Sequence, residues 1–190
     1  GVTVNLAQAA GYATRAGGSM TVLGVESVVG TADNDLFRVT VNDAVNNTYD
    51  AGVSGNDKID YSGLASNVPI SVQLSSAGSA TVTRTGSYTD TVLRMDSLVG
   101  TQGDDVVKSL VSGWTVDAGA GTADLLNLSL QSTGASETGN LTVDLRAGTV
   151  SKTGGINMTI AGFEQVYGGA GSDTFRGDDG NNTFDGKGGT

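Results

Sequence analysis

Glycine returns every ninth residue at the C-terminal end of this 190-residue chain, and that period restricts the fold more than any other feature. From Gly168 the sequence reads GGAGSDTFR, then GDDGNNTFD from Gly177, then GKGGT. Gly171 and Gly180 stand fourth in their windows, Asp173 and Asn182 sixth, and Phe175 and Phe184 eighth. The same pattern fits GTADNDLFR from Gly30 (Asp35, Phe37), GVSGNDKID from Gly52 (Gly55, Asp57, Ile59), GTQGDDVVK from Gly100 (Gly103, Asp105, Val107) and GAGTADLLN from Gly119 (Asp124, Leu126). Glycine in the first and fourth places permits turn conformations that a side chain would forbid. The triplet after the acid has one apolar residue between two flanking ones, which reads as a very short strand with one side chain inward. Turn and strand alternating at fixed pitch build a solenoid whose rungs stack at about 4.8 Å.

A longer period encloses the short one. ESVVGTADNDLF, DSLVGTQGDDVV and EQVYGGAGSDTF align through Gly30, Gly100 and Gly168, which stand 70 and 68 residues apart. The alternating stretches VTVNL, ISVQL and LTVDL recur ahead of them. The chain therefore divides into three units of about 70 residues, 1–69, 70–140 and a shortened 141–190, each with a variable Gly/Ser/Thr stretch read as a hairpin or surface loop. Glu26, Asp96 and Glu164 hold one place in every unit, four residues before the glycine. A role in accepting hydrogen bonds from neighbouring backbone suits them better than catalysis, because catalytic residues seldom recur in each repeat.

Composition says what fills the turns. The 20 acids outnumber the 10 bases, giving a net charge of −10, and 17 of the acids are Asp, which suits turns where Glu suits helices. With 30 Gly and many Thr and Val, the chain is expected to be all-β and a helical fold is excluded. The absence of Cys and His removes disulfides, thiolate or Ser-His-Asp catalysis and zinc sites. An acidic surface disfavours nucleic acid, no apolar run is long enough for a transmembrane helix, and no membrane insertion is expected. Stacked rungs would set the sixth-place acids in files of like charge, which call for a counter-ion. Oxygen ligands from Asp and turn carbonyls favour Ca²⁺, which accepts six to eight of them in irregular geometry.

These windows resemble the GGxGxDxUx repeats of RTX (hemolysin-type) calcium-binding proteins, a secreted bacterial family. The likeness is close from Gly168 onward and looser in the two earlier stretches. It implies a parallel β-roll with two nonapeptides per turn and several Ca²⁺ ions between repeats on one edge. Asp35 is then expected to share an ion with Asp57, and Asp105 with Asp124, while Asp173 would look to the residue after Thr190. Thr31, Val53 and Thr101 replace the second glycine of the pattern, and Asp33 and Thr122 the fourth; Asp33 and Asp104 could add ligands. Trp114 stands where Asn47 and Asn182 stand in the other units, so that turn is expected to be metal-free.

The function these features imply is a non-enzymatic, Ca²⁺-dependent structural module of a secreted or cell-surface bacterial protein, of surface-layer or adhesin type. It would fold outside the cell, where Ca²⁺ is abundant. The resemblance further implies type I secretion. Self-assembly through open sheet ends is a further expectation. A carbohydrate- or matrix-binding module, contacting cell-surface polysaccharide, and the non-catalytic RTX part of a secreted enzyme are the alternatives. Tyr61, Tyr88 and Trp114 could stack on sugars, although packing is the plainer role, and Asp178 with Asp179 reads as a solvated turn rather than a catalytic pair. The start GVTVNLAQAA reads as a point within a longer chain.

Overall fold

The computed structural model describes residues 1–6, 11–16, 18–22 and 24–189. Three-residue strands built on one inward apolar residue dominate it, and three antiparallel meanders interrupt them. The first meander is β1 (Val2–Asn5), β2 (Tyr12–Arg15) and β3 (Gly18–Thr21), followed by β4 (Ser27–Val29), β5 (Leu36–Arg38), β6 (Thr48–Asp50) and β7 (Lys58–Asp60). The second is β8 (Ile70–Ser76), β9 (Ser79–Arg84) and β10 (Tyr88–Leu93), followed by β11 (Ser97–Val99), β12 (Val106–Lys108), β13 (Thr115–Asp117) and β14 (Leu125–Asn127). The third is β15 (Leu141–Asp144), β16 (Thr149–Lys152) and β17 (Ile156–Ala161), followed by β18 (Gln165–Tyr167), β19 (Thr174–Arg176) and β20 (Thr183–Asp185).

Among the described residues the strands form two sheets, ordered β19-β15-β16-β17-β13-β11-β7-β5-β1-β2-β3 and β20-β18-β14-β12-β8-β9-β10-β6-β4. Successive short strands alternate between them. Four such passes separate one meander from the next, so the fifth arrival falls on the opposite face: the meanders lie in the first sheet, then the second, then the first. Outside the meanders every strand-to-strand pairing among the described residues is parallel, and one isolated antiparallel bridge joins Leu130 to Ser136. The chain is all-β as its composition implies, and its architecture is consistent with a β-roll. It departs from a uniformly parallel roll at the meanders, where β8, β9 and β10 are too long for a nine-residue rung and turn back through hairpins containing Gly78 and Gly86, both with positive φ.

Parallel register stacks the inward residues in rows. Val4, Phe37, Ile59, Leu98 and Val116 are consecutive partners across the first sheet, and Val72, Val107, Leu126 and Val166 across the second. All are buried, and they form one core between the sheets. At roughly 1.5–3 kcal/mol for each buried side chain, these rows hold the short strands in register where their few hydrogen bonds alone would not. Phe37 meets Tyr49 edge-on at 6.0 Å, joining one sheet to the other. Tyr61 and Trp114 are also buried, and the Trp114 indole N–H donates to the Ser76 carbonyl at 3.0 Å. Both rings are therefore packing residues and not platforms for sugars.

Candidate functional site

The residue directly before each short strand sits at the mouth of a turn, and the parallel register brings these residues into files along the two edges. Leu36 is the partner of Lys58, and Lys58 of Ser97, which aligns Asp35, Asp57 and Asp96. Val106 pairs with Leu125, and Leu125 with Gln165, which aligns Asp105, Asp124 and Glu164 on the opposite edge. Asp35, Asp57, Asp105 and Asp124 are each at most 3% exposed.

Hydrogen bonds link the members of each file. The Asp35 N–H donates to Asp57 Oδ1 at 2.7 Å, and the Asp57 N–H to Asp96 Oδ2 at 2.7 Å. On the other edge the Asp105 N–H donates to Asp124 Oδ1 at 2.6 Å, and the Asp124 N–H to Glu164 Oε2 at 2.9 Å. The first strand of each meander joins in: Val2, Ile70 and Leu141 donate their N–H to Oδ1 of Asp35, Asp105 and Asp173 at 2.6, 2.7 and 2.9 Å. Each carboxylate thus caps the backbone of the preceding rung. Asp96 and Glu164 have the backbone-accepting role their recurrence suggested, and they also extend the files. Their place two residues before an inward side chain, Leu98 or Val166, is the same place Asp57 holds before Ile59.

Two kinds of turn alternate. In the turns opening at Gly30, Gly100 and Gly168 the carboxylate folds back over its own glycine. A Cβ there would lie 2.3, 2.5 and 2.3 Å from Oδ2 of Asp35, Asp105 and Asp173. The second oxygen of each accepts the turn's own backbone, from Thr31, Thr101 and Gly169. Thr31 and Thr101 add hydroxyl donors, so these substitutions of glycine supply extra bonds to the acid. Gly177 holds Asn182 in the same way, with Asn182 Oδ1 accepting from the Asp178 N–H at 3.0 Å. The turns opening at Gly52 and Gly119 are different. Both glycines have positive φ, 106° and 105°, and a Cβ would stand 2.3 Å from the Thr31 carbonyl oxygen and 2.1 Å from that of Thr101. Only glycine lets a carbonyl of the neighbouring turn approach so closely.

The second kind leaves a carboxylate oxygen free at Asp124. Its Oδ2 is buried and has no hydrogen-bond partner. Desolvation, followed by the charges of Asp105, Glu164 and Asp104, raises its pKa to about 7. Burial likewise raises Asp105 and Asp57 above the ordinary carboxylate range. Buried, unpartnered anionic oxygen at neutral pH is an unfavourable state that a hard cation relieves. Among the described residues no three carboxylates or imidazoles converge on one point. A cation here would thus combine one or two carboxylates with turn carbonyls, a mixture that suits Ca²⁺.

The other anticipated ligands are distributed unevenly. Gly55, with φ 130°, packs against the Asp33 carbonyl and Asp57 Oδ1, and the turn it belongs to borders an open cavity shared with Asp96 and Arg94. Gly103 and Gly171 pack against the carbonyls of Ser66 and Gly139, in meander-bordering loops and not in a second nonapeptide. Gly180 lies near Asp178, which its N–H caps at 2.8 Å. Asp33 points to solvent, with its side chain 78% exposed. Asp104 ties two turns together, its Oδ1 accepting the N–H groups of Thr122 and Ala123 at 2.9 and 3.0 Å. Asp173 and Asn182 border β19 and β20 at the ends of the two sheets, where Phe175 and Phe184 stack at 5.3 Å. The position expected to partner Asp173 lies outside the described residues.

Residues 159–190 match the RTX calcium-binding nonapeptide repeat in four copies. The chain therefore carries RTX repeats at its C-terminal end, and such repeats bind Ca²⁺. None of the curated proteins matches it.

Proposed function

We propose that this chain is a Ca²⁺-dependent structural module of a secreted or cell-surface bacterial protein, without catalytic activity, wound as a β-solenoid from the units 1–69, 70–140 and 141–190. The recurrence of a meander at Val2, Ile70 and Leu141 supports that division. One ion is assigned to Asp35 and Asp57 on one edge and one to Asp105 and Asp124 on the other, with Asp173 and Asn182 serving the terminal repeats. The bordering glycines, Gly30, Gly52, Gly55, Gly100, Gly103, Gly119, Gly168, Gly171, Gly177 and Gly180, supply carbonyls or room for them. The unpartnered, buried Asp124 Oδ2 beside Asp105 carries the reading.

Bound Ca²⁺ would neutralise the files and fix the turn carbonyls; the protein residues hold the rungs in register. Export by a type I route, a surface-layer or adhesin context, and association with further copies or with cell-surface polysaccharide belong to the same proposal and rest on the repeat match. Circular dichroism in chelator and in millimolar Ca²⁺ tests it: β-structure should grow on addition of the ion, and a spectrum already complete in chelator and unchanged by Ca²⁺ would refute it.

A further inference from the structure

The turn at residues 42–47 has Asn47 in the place of the acid, and its interior is filled from elsewhere. Arg84, the last residue of β9, is opposite both Ile70 and Tyr88, and the antiparallel direction of β9 delivers it to the edge where turns enter the second sheet. Its side chain is wholly buried. Nη1 donates to Asn42 Oδ1 at 3.3 Å, to the Asp43 carbonyl at 3.1 Å and to Asp43 Oδ1 at 2.9 Å. Nη2 donates to the Val45 carbonyl at 2.6 Å and to Asp90 Oδ1 at 2.9 Å. Two turn carbonyls, two carboxylates and one amide oxygen thus converge on a single positive charge. Asp90 is fully buried and is further held by the Tyr61 hydroxyl at 3.1 Å and the Asn47 N–H at 3.2 Å.

Converging carbonyl and carboxylate oxygens from one Gly- or Asn-opened turn are the donor set that a hard divalent cation takes. Here a guanidinium takes it, and its planar fork of donors satisfies several oxygens in place of an ion. We propose that Arg84 is a tethered cation that occupies a calcium position, so that the junction of the first two meander-bearing segments is held without metal. The inference rests on the reading that the other turns bind Ca²⁺. The register supports it independently, because Lys152 of β16 holds the equivalent place opposite Leu141 and Ile156 and meets the buried Glu137 Oε1 at 2.7 Å. Arg15 of β2 holds that place in the first meander, opposite Val2 and Gly18.

Amide hydrogen exchange on the whole chain, in Ca²⁺ and in chelator, tests this. The N–H groups of Asn47, Thr48 and Thr91, which bond to Asp90, Glu26 and Asn47, should stay protected in both. Those of Gly169 and Gly188, in the terminal repeats, should lose protection in chelator. Loss at Asn47, Thr48 and Thr91 equal to that at Gly169 overturns the Arg84 assignment alone; protection everywhere in chelator overturns the calcium reading and the assignment with it. Arg84→Ala should bind one more Ca²⁺ per chain than the unaltered protein and make protection at Asn47 depend on the ion, while Arg84→Lys should bind no extra ion. An Arg84→Ala chain that folds without binding an additional ion also overturns it, and the exchange comparison stands without any variant.

Discussion

Calcium removal should reverse the sign of the pH dependence of stability, and Asp124 sets the size of the effect. In the unfolded chain its carboxyl titrates near 3.8, and in the folded, calcium-free chain near 7. Between those values the folded state keeps a proton that the unfolded state releases. Its stabilising contribution is thus complete below the unfolded value and is lost as pH rises through about 7. At about 1.4 kcal/mol per pH unit, the interval from 3.8 to about 7 corresponds to at most about 4 kcal/mol. Set against the 5–15 kcal/mol net stability of typical domains, that loss is enough to unfold a marginal one. Burial shifts Asp57 and Asp105 in the same direction. Bound Ca²⁺ favours the charged carboxylates instead, so in its presence stability should rise with pH over the same range as protons cease to compete for the ligands.

Urea unfolding followed by the emission of Trp114, the single and buried tryptophan, measures this at pH 5 and pH 8 with Ca²⁺ or chelator. Asp124→Asn keeps an oxygen to accept the Asp105 N–H and removes the charge. In chelator at pH 8 the variant should be more stable than the unaltered chain by up to about 4 kcal/mol, and in Ca²⁺ it should gain less from the ion. Stability in chelator that is flat or increasing from pH 5 to pH 8, or an equal gain from Ca²⁺ in both proteins, would show that Asp124 is neither a buried charge nor a ligand.

Gly119→Ala forces a Cβ against the Thr101 carbonyl at a left-handed φ and should lower stability by about 3 kcal/mol in saturating Ca²⁺, whereas Gly134→Ala, with positive φ and open space, should lower it by about 1 kcal/mol; equal urea midpoints for the two would contradict the close stacking of turns. Glu137→Gln leaves the partly exposed Lys152 without its ion partner and should cost about 2 kcal/mol by thermal unfolding. Desolvation opposes ionisation of Glu137, but the bonds from Lys152 and Gly139 outweigh it and hold its pKa below the usual value. Its contribution is therefore present above the unfolded value near 4.5 and is lost as pH falls through the lower folded one, and the variant should lack that acid-side loss.

The nine-residue glycine period made the rungs legible because it acts locally: a turn, an acid and one inward apolar residue are all specified within a single window. Asp35 and Asp57, or Asp105 and Asp124, could be matched from spacing alone, since whatever separates two turns on one edge must be a whole circuit of the roll. The meanders obey no such local rule. Ser71 and Thr83 are paired through a hairpin register that the Gly/Ser/Thr composition between them does not encode, and so the place of Arg84 on the edge was invisible. Asp90 was hidden for the same reason, although it lies only six residues from Arg84.

The same contrast explains why the acids are not equivalent. Every sixth-place carboxylate could be a ligand by pattern, but Asp35 and Asp105 have both oxygens committed to backbone donors from two rungs, while Asp124 has one oxygen committed and one unpaired. What divides them is the handedness of the turn. At Gly30 and Gly100 the acid lies over the opening glycine and accepts from its own turn; at Gly52 and Gly119, with φ near 105°, the acid lies instead over a later glycine of the turn, Asp57 over Gly55 and Asp124 over Gly121. On the edge of Asp105 and Asp124 a self-satisfied carboxylate therefore stands beside an unsatisfied one. The buried, unpaired carboxylate oxygen stands at the second turn of its pair, on Asp124, whereas the turn at residues 42–47, beside a meander, has Asn47 in place of the acid and is filled by the Arg84 guanidinium.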